Sequence, residues 1–260
     1  MTRILRLLAG LLMCLGVPGV IAAQESRPDI LFLTGQATSL ESADDGGGGG
    51  VEWLHPVGKV WSVSLGGYGF SLGGSEWAYG KLGAGVTLKG RTTIAADASV
   101  GAGRHTATDA DFTYELYRAE VTYAVVERVL YATFEDLYSD VDAARENLIR
   151  IGLTIYPSPT LGLRLNYHRS TGGNVDSNFF SGRVDVTTKW CGLLAGFLVG
   201  QTSPERLNLI PQGPGAVQVQ EFYVGASVPV GRQEVTVIFD VAEVEGVHKY
   251  SAIVVWKIPF

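Results

Sequence analysis

Phe180-Ser181-Gly182-Arg183-Val184-Asp185-Val186-Thr187-Thr188-Lys189-Trp190 alternates between two kinds of side chain. Phe180, Gly182, Val184, Val186 and Trp190 share one parity; Ser181, Arg183, Asp185, Thr187 and Lys189 share the other. A strand sends successive side chains to opposite faces, so the stretch predicts a strand with one apolar face and one densely charged face. In a soluble sandwich the charged face meets bulk water; in a membrane barrel it faces the lumen.

The same split recurs along the chain. Ile149, Ile151, Leu153 and Ile155 oppose Arg150, Gly152, Thr154 and Tyr156. Leu161, Leu163, Leu165 and Tyr167 oppose Gly162, Arg164, Asn166 and His168. Tyr117, Ala119, Val121, Tyr123 and Val125 oppose Arg118, Glu120 and Thr122, and Val235, Val237, Phe239 and Val241 oppose Glu234, Thr236, Ile238 and Asp240. These runs reach the ~9–11 residues that a tilted membrane strand needs, where soluble strands average about five to six.

Strands are expected near 29–39, 50–56, 59–71, 76–88, 92–103, 113–125, 128–138, 147–156, 160–169, 179–190, 192–201, 217–228, 232–242 and 248–260. That is about fourteen, in a range of about twelve to sixteen. The joints alternate: tight ones such as Pro157-Ser158-Pro159, Cys191 and Pro229-Val230-Gly231-Arg232, and longer ones at 40–49, 72–75, 104–112, 139–146, 170–178, 202–216 and 243–247. Turns on one rim and loops on the other suit an up-and-down antiparallel barrel, and an even strand number puts both termini on the turn side.

The first residues read as a signal peptide over 1–23, with Arg3 and Arg6 before an apolar run from Leu7 to Ile21 and Ala22-Ala23 before Gln24. The barrel is then expected over 24–260. Removing the two arginines makes the net charge of −6 more negative by two. One cysteine, Cys191, follows the signal, so an internal disulfide is excluded. The acidic balance and the lack of a basic run argue against a nucleic-acid partner. The 34 glycines lie scattered in alternating stretches, not in a linker. No cofactor or metal is expected.

Tyr250, Ala252, Val254, Trp256, Ile258 and Phe260 alternate up to a terminal Phe. This ending resembles the C-terminal signal of Gram-negative outer-membrane β-barrel proteins. The resemblance implies a porin-like, all-β barrel in the outer membrane, delivered by the barrel assembly machinery and surrounded by outer-membrane lipid and lipopolysaccharide. Tyr250, Val254, Trp256, Ile258 and Phe260 carry the assembly signal on that view; Pro259 departs slightly from the pattern. In overall size the chain also resembles the YaiO-type barrels, with no motif residue to carry it. Closure makes physical sense because hydrocarbon requires every backbone N–H and C=O to be paired internally. Trp53, Trp61, Trp77, Trp190 and Trp256 lie near expected strand ends, where girdle residues belong.

Parity assigns an inward, ionisable set: Lys81, Asp97, Arg118, Glu120, Glu135, Arg150, Arg164, His168, Arg183, Asp185, Lys189, Glu221, Glu234 and Asp240. Arg150, Arg164 and Arg183 lie on three consecutive strands and form the expected positive wall. Mixed charges on a lumen wall create a transverse field and hydrogen-bond sites for hydrated solutes. The expected function is a passive channel for small hydrophilic solutes, saccharides among them, and not an enzyme. A non-conducting or accessory barrel of surface polysaccharide export is the alternative. A third reading comes from His168-Arg169-Ser170, which resembles the His-x-Ser stretch of outer-membrane lipid A deacylases; position 182, where that family's orienting acid is expected, is Gly. Parity turns His168 and Ser170 inward, away from lipid. Asp44-Asp45 and Asp109-Ala110-Asp111 are expected in solvated loops, without full Ca²⁺-ligand spacing. Gly46 to Gly50 is expected in a loop and is no phosphate cradle, since no Gly-Lys-Ser/Thr follows.

Overall fold

Period-two patterning builds an all-strand structure. The computed structural model describes residues 28–41, 45–89, 91–106, 108–141, 144–171, 176–202, 217–244 and 246–260. The expected signal peptide over 1–23 and Asp44 lie outside the described residues. The strands are Ile30–Leu40 (β1), Gly46–Val57 (β2), Trp61–Leu72 (β3), Ser75–Leu88 (β4), Thr92–His105 (β5), Ala110–Val126 (β6) and Leu130–Val141 (β7). They continue as Ala144–Ser158 (β8), Leu161–Thr171 (β9), Ser177–Thr187 (β10), Gly192–Thr202 (β11), Val217–Val230 (β12), Gln233–Val244 (β13) and Val247–Pro259 (β14). Each pairs antiparallel with its sequence neighbours, and β14 closes on β1 from Ile30↔Pro259 to Leu40↔Lys249. The barrel of fourteen strands therefore has no open edge.

All fourteen expected strands are present, and three differences in their bounds bear on the inner face and its turns. First, β2 begins at Gly46, so the glycine run is strand and not loop. A bare glycine strand packs poorly, but here the Phe70 and Tyr68 rings of β3 lie where Cβ atoms on Gly48 and Gly50 would stand. Second, β8 begins at Ala144 and carries Glu146 into the wall. Third, β10 stops at Thr187. Thr188 then accepts the N–H groups of Trp190 and Cys191 on its hydroxyl and donates its own N–H to the Cys191 carbonyl, closing a turn.

The tight turns share the rim that holds both termini. Gly58 and Gly231 there adopt φ of +65°, a left-handed conformation that glycine enters without steric cost. The remaining connections leave from the opposite rim; 203–216 is the longest, and Gly73-Gly74 is shorter than the sequence suggested.

The two faces separate sharply. Phe239 is 58% exposed, and the next residue, Asp240, is 6% exposed. Ile151, Leu163 and Val184 belong to the exposed apolar set, as expected for an outer surface facing hydrocarbon. Aromatic residues border this belt. Towards the turn rim, Trp53 donates its indole N–H to Asp29 at 3.0 Å, and Trp256 donates to Gln233 at 2.9 Å. Towards the loop rim, Tyr117 donates to Glu115 at 3.2 Å and Tyr167 to Asn178 at 2.7 Å. Apolar rings with satisfied polar tips suit the two interfaces. Trp77 is the exception among the five tryptophans: its ring stacks on Phe70 within the inward-turned set.

Candidate functional site: the inner face of the barrel

The residues opposite the exposed apolar set turn inward, and most of the expected ionisable set meets there. One chain of ion pairs crosses four strands. Arg118 on β6 reaches Asp97 on β5 at 2.6 Å and Glu135 on β7 at 3.8 Å. Arg150 on β8 reaches the same Glu135 at 2.9 Å and Glu120 on β6 at 2.6 Å. Two arginines thus serve three carboxylates. Their low exposure strengthens each contact relative to water but makes an unpaired partner costly.

Other expected residues form smaller groups. Lys81 on β4 binds Glu52 on β2 at 3.0 Å, and Tyr68 donates to the same carboxylate at 2.6 Å. Asp240 on β13 sits 3.8 Å from Lys249 on β14, and Glu221 on β12 shares their face. Arg183 and Asp185, two residues apart on β10, pair at 2.5 Å. Glu234 stands across the β13–β14 ladder from Lys257, near the turn rim. Arg164 is exposed on the inner side, directly opposite Arg183.

The expected positive wall is therefore divided. Arg150 is locked between two glutamates, Arg183 has its own aspartate, and Arg164 has no ion-pair partner among the described residues. Lys189 departs from expectation altogether. Because β10 ends at Thr187, Lys189 lies in the turn, its ammonium 4.6 Å from the centre of the Trp190 ring.

His168 and Ser170 both turn inward. His168 meets the Ser181 hydroxyl through Nε2 at 2.9 Å and stacks on Phe179 at 4.1 Å. Ser170 donates its hydroxyl to Glu146. Both side chains are buried on the inner face, away from the lipid that a deacylase must reach. Asp109 in the β5–β6 connection and Asp111 at the start of β6 pair with Arg104 at 3.1 and 2.9 Å, an arrangement of solvated ion pairs.

Glu52, Lys249 and Glu146 are inward charges that the sequence reading did not include. The largest omission is aromatic. Across β2 to β6 the register sets Gly50, Tyr68, Tyr79, Gly101 and Tyr114 in one row. Gly48, Phe70, Trp77, Gly103 and Phe112 form the next row towards the loop rim. Tyr68 stacks on Tyr79 at 5.0 Å, Tyr79 on Tyr114 at 4.8 Å across Gly101, and Phe70 on Trp77 at 5.7 Å. A Cβ on any of these glycines would strike a neighbouring ring or backbone. The rings are seated by the missing side chains beside them.

No protein-family model matches the chain, and no curated protein matches it. Solved structures do. The CymD monoaromatic hydrocarbon channel superposes with a TM-score of 0.65 at 10% identity, over 91% of this chain and 90% of that one. The P. putida toluene transporter TodX superposes with a TM-score of 0.58 at 8% identity, over 92% and 91%. A bacterial polysaccharide outer membrane secretin gives 0.54 at 10% identity, over 91% and 100%. At such identities the likeness is one of fold. The chain has the closed barrel fold of Gram-negative outer-membrane proteins, as its terminal alternation implied.

Proposed function

We propose that this barrel is a passive channel for small hydrophilic solutes, saccharides among them, across the outer membrane. The observation that carries the reading is the reversal of polarity across the wall. The outer face is an apolar belt between two aromatic borders, and the inner face holds charged and hydroxyl-bearing groups over its whole height. Arg164, exposed on the inner side and without an ion-pair partner among the described residues, is a charge that stiffening of the wall does not account for. Two of the solved structures with this fold are described as a monoaromatic hydrocarbon channel and a toluene transporter, which supports transport as the class of activity.

A second reading, a non-conducting barrel accessory to polysaccharide export, is favoured by one observation. The ion-pair chain from Asp97 to Glu120 is tightly knit and adds stiffness to β5 through β8. Lipid hydrolysis has less behind it, since His168 and Ser170 face inward. The test is single-channel conductance of purified, refolded protein in planar bilayers. Stable unitary currents support the channel; their absence from fully heat-modifiable barrel overturns it in favour of the accessory role.

A further inference from the structure

We infer that the two aromatic rows of β3, β4 and β6 are a binding subsite for a saccharide ring arriving from the loop rim, an inference that rests on the channel reading above. Tyr68, Phe70, Trp77, Tyr79 and Tyr114 are half-buried and nearly parallel, with 17–25° between stacked planes. Each is held by a glycine seat or a neighbouring ring, so little side-chain freedom remains to be lost on binding. Offset stacking leaves part of each ring uncovered, and a sugar presents apolar C–H faces that such surfaces can accept.

The next row towards the turn rim decides the ligand class. There Glu52, Gly66 and Lys81 stand side by side, and the ion pair of 3.0 Å spans the strand that Gly66 leaves bare. Tyr68 ties this pair to the ring row through its hydroxyl. A ligand lying on the rings thus meets a carboxylate, an ammonium and two further phenol hydroxyls at its edge. A sugar has hydroxyls for all of them. A hydrocarbon ring would desolvate Glu52 and Lys81 and return no hydrogen bond, which is costly. Trp77 gives the site its own reporter, because Trp53, Trp61, Trp190 and Trp256 lie on the outer face or in a turn.

The experiment uses maltotriose and, separately, toluene as probes on the refolded chain, read by bilayer current and by tryptophan fluorescence in detergent. Maltotriose should block part of the ion current and give a saturable fluorescence change that disappears in Trp77→Phe. Tyr79→Leu or Tyr114→Leu should weaken that response about tenfold, or ~1.4 kcal/mol, while Tyr79→Phe, which keeps the ring and loses one hydroxyl, weakens it less and Trp256→Leu leaves it intact. The wild-type response and its loss in Trp77→Phe are decisive even where a Leu variant fails to assemble. Ion current without any response to maltotriose overturns the subsite and leaves the channel standing. A saturable Trp77 signal without current upholds the subsite and overturns the channel. A Trp77 signal that toluene saturates and maltotriose does not overturns the saccharide assignment.

Discussion

Arg164 on β9 stands directly across the ladder from Arg183 on β10, two like charges side by side on the inner face. Such opposed like charges destabilise a sheet unless something neutralises them. Asp185 neutralises Arg183 at 2.5 Å, and Arg164 is left as an exposed positive charge. Arg164→Gln is expected to shift the reversal potential in a salt gradient towards cations, most at low salt, where the Debye length approaches ~30 Å. Thermal stability should hardly change. Arg150→Gln should do the opposite: it takes the ion-pair partner from Glu120, leaves Glu135 with Arg118 alone at 3.8 Å, and costs about 3–5 kcal/mol with little change in selectivity. Equal selectivity shifts in both variants would show that the wall acts as one field.

The outer face offers a second test. Val184→Arg, Leu163→Arg and Ile151→Arg place a cation in the exposed apolar belt and should each cost about 2–4 kcal/mol near the midplane. Thr187→Arg, at the exposed end of β10, should be tolerated. Asn166 is a poor control despite its inward parity, because it is buried and donates to Ser181 at 3.0 Å. Folding yield into lipid vesicles measures the difference, and indistinguishable yields for Val184→Arg and Thr187→Arg would contradict the assignment of faces.

Parity made the faces legible, since period two needs no knowledge of neighbours. It carried Asp97, Arg118, Glu120, Glu135 and Arg150 to one side, and the structure brings them together in one network. Lys189 failed because parity presumes a strand, and β10 had already turned. Glu52 was legible between Val51 and Trp53, but the glycine run before it hid the length of β2. Glu146 was hidden in the same way by a strand that starts earlier than its patterning. The aromatic rows were not legible at all. Placing Tyr79 beside Gly101 and Tyr114 requires the stagger between strands, and turn residues do not fix that stagger tightly enough to read it from sequence.

The terminal residue supports a prediction about assembly. The backbone N–H of Phe260 donates to the Asp29 carbonyl at 2.9 Å, one step beyond the Ile30↔Pro259 pair, so the last residue finishes the seam between β14 and β1. Its ring is 68% exposed and adds almost no packing. Deletion of Phe260 should therefore scarcely lower the melting temperature of barrel refolded in detergent, yet should lower the outer-membrane level in cells. A normal amount of heat-modifiable barrel in the membrane would refute a role for Phe260 as assembly signal.

Glycine substitutions separate the two faces at residues of identical chemistry. At Gly101, facing inward, an added Cβ lies 2.6 Å from Tyr79 Cα and collides with the Ala78 carbonyl, both backbone groups that cannot rotate away. At Gly67, facing outward on β3, a Cβ meets nothing within 4 Å. Gly101→Ala should cost about 1–3 kcal/mol through overpacking and displace the Tyr79 ring from Tyr114. Gly67→Ala should be neutral or stabilising by ~0.5 kcal/mol, because alanine loses less backbone freedom in a strand. Urea unfolding in lipid vesicles gives both values. Near-ultraviolet circular dichroism, sensitive to the stacked tyrosines, should change for Gly101→Ala alone. A stable Gly101→Ala barrel with an unaltered aromatic spectrum would mean that the rings do not depend on their glycine seats.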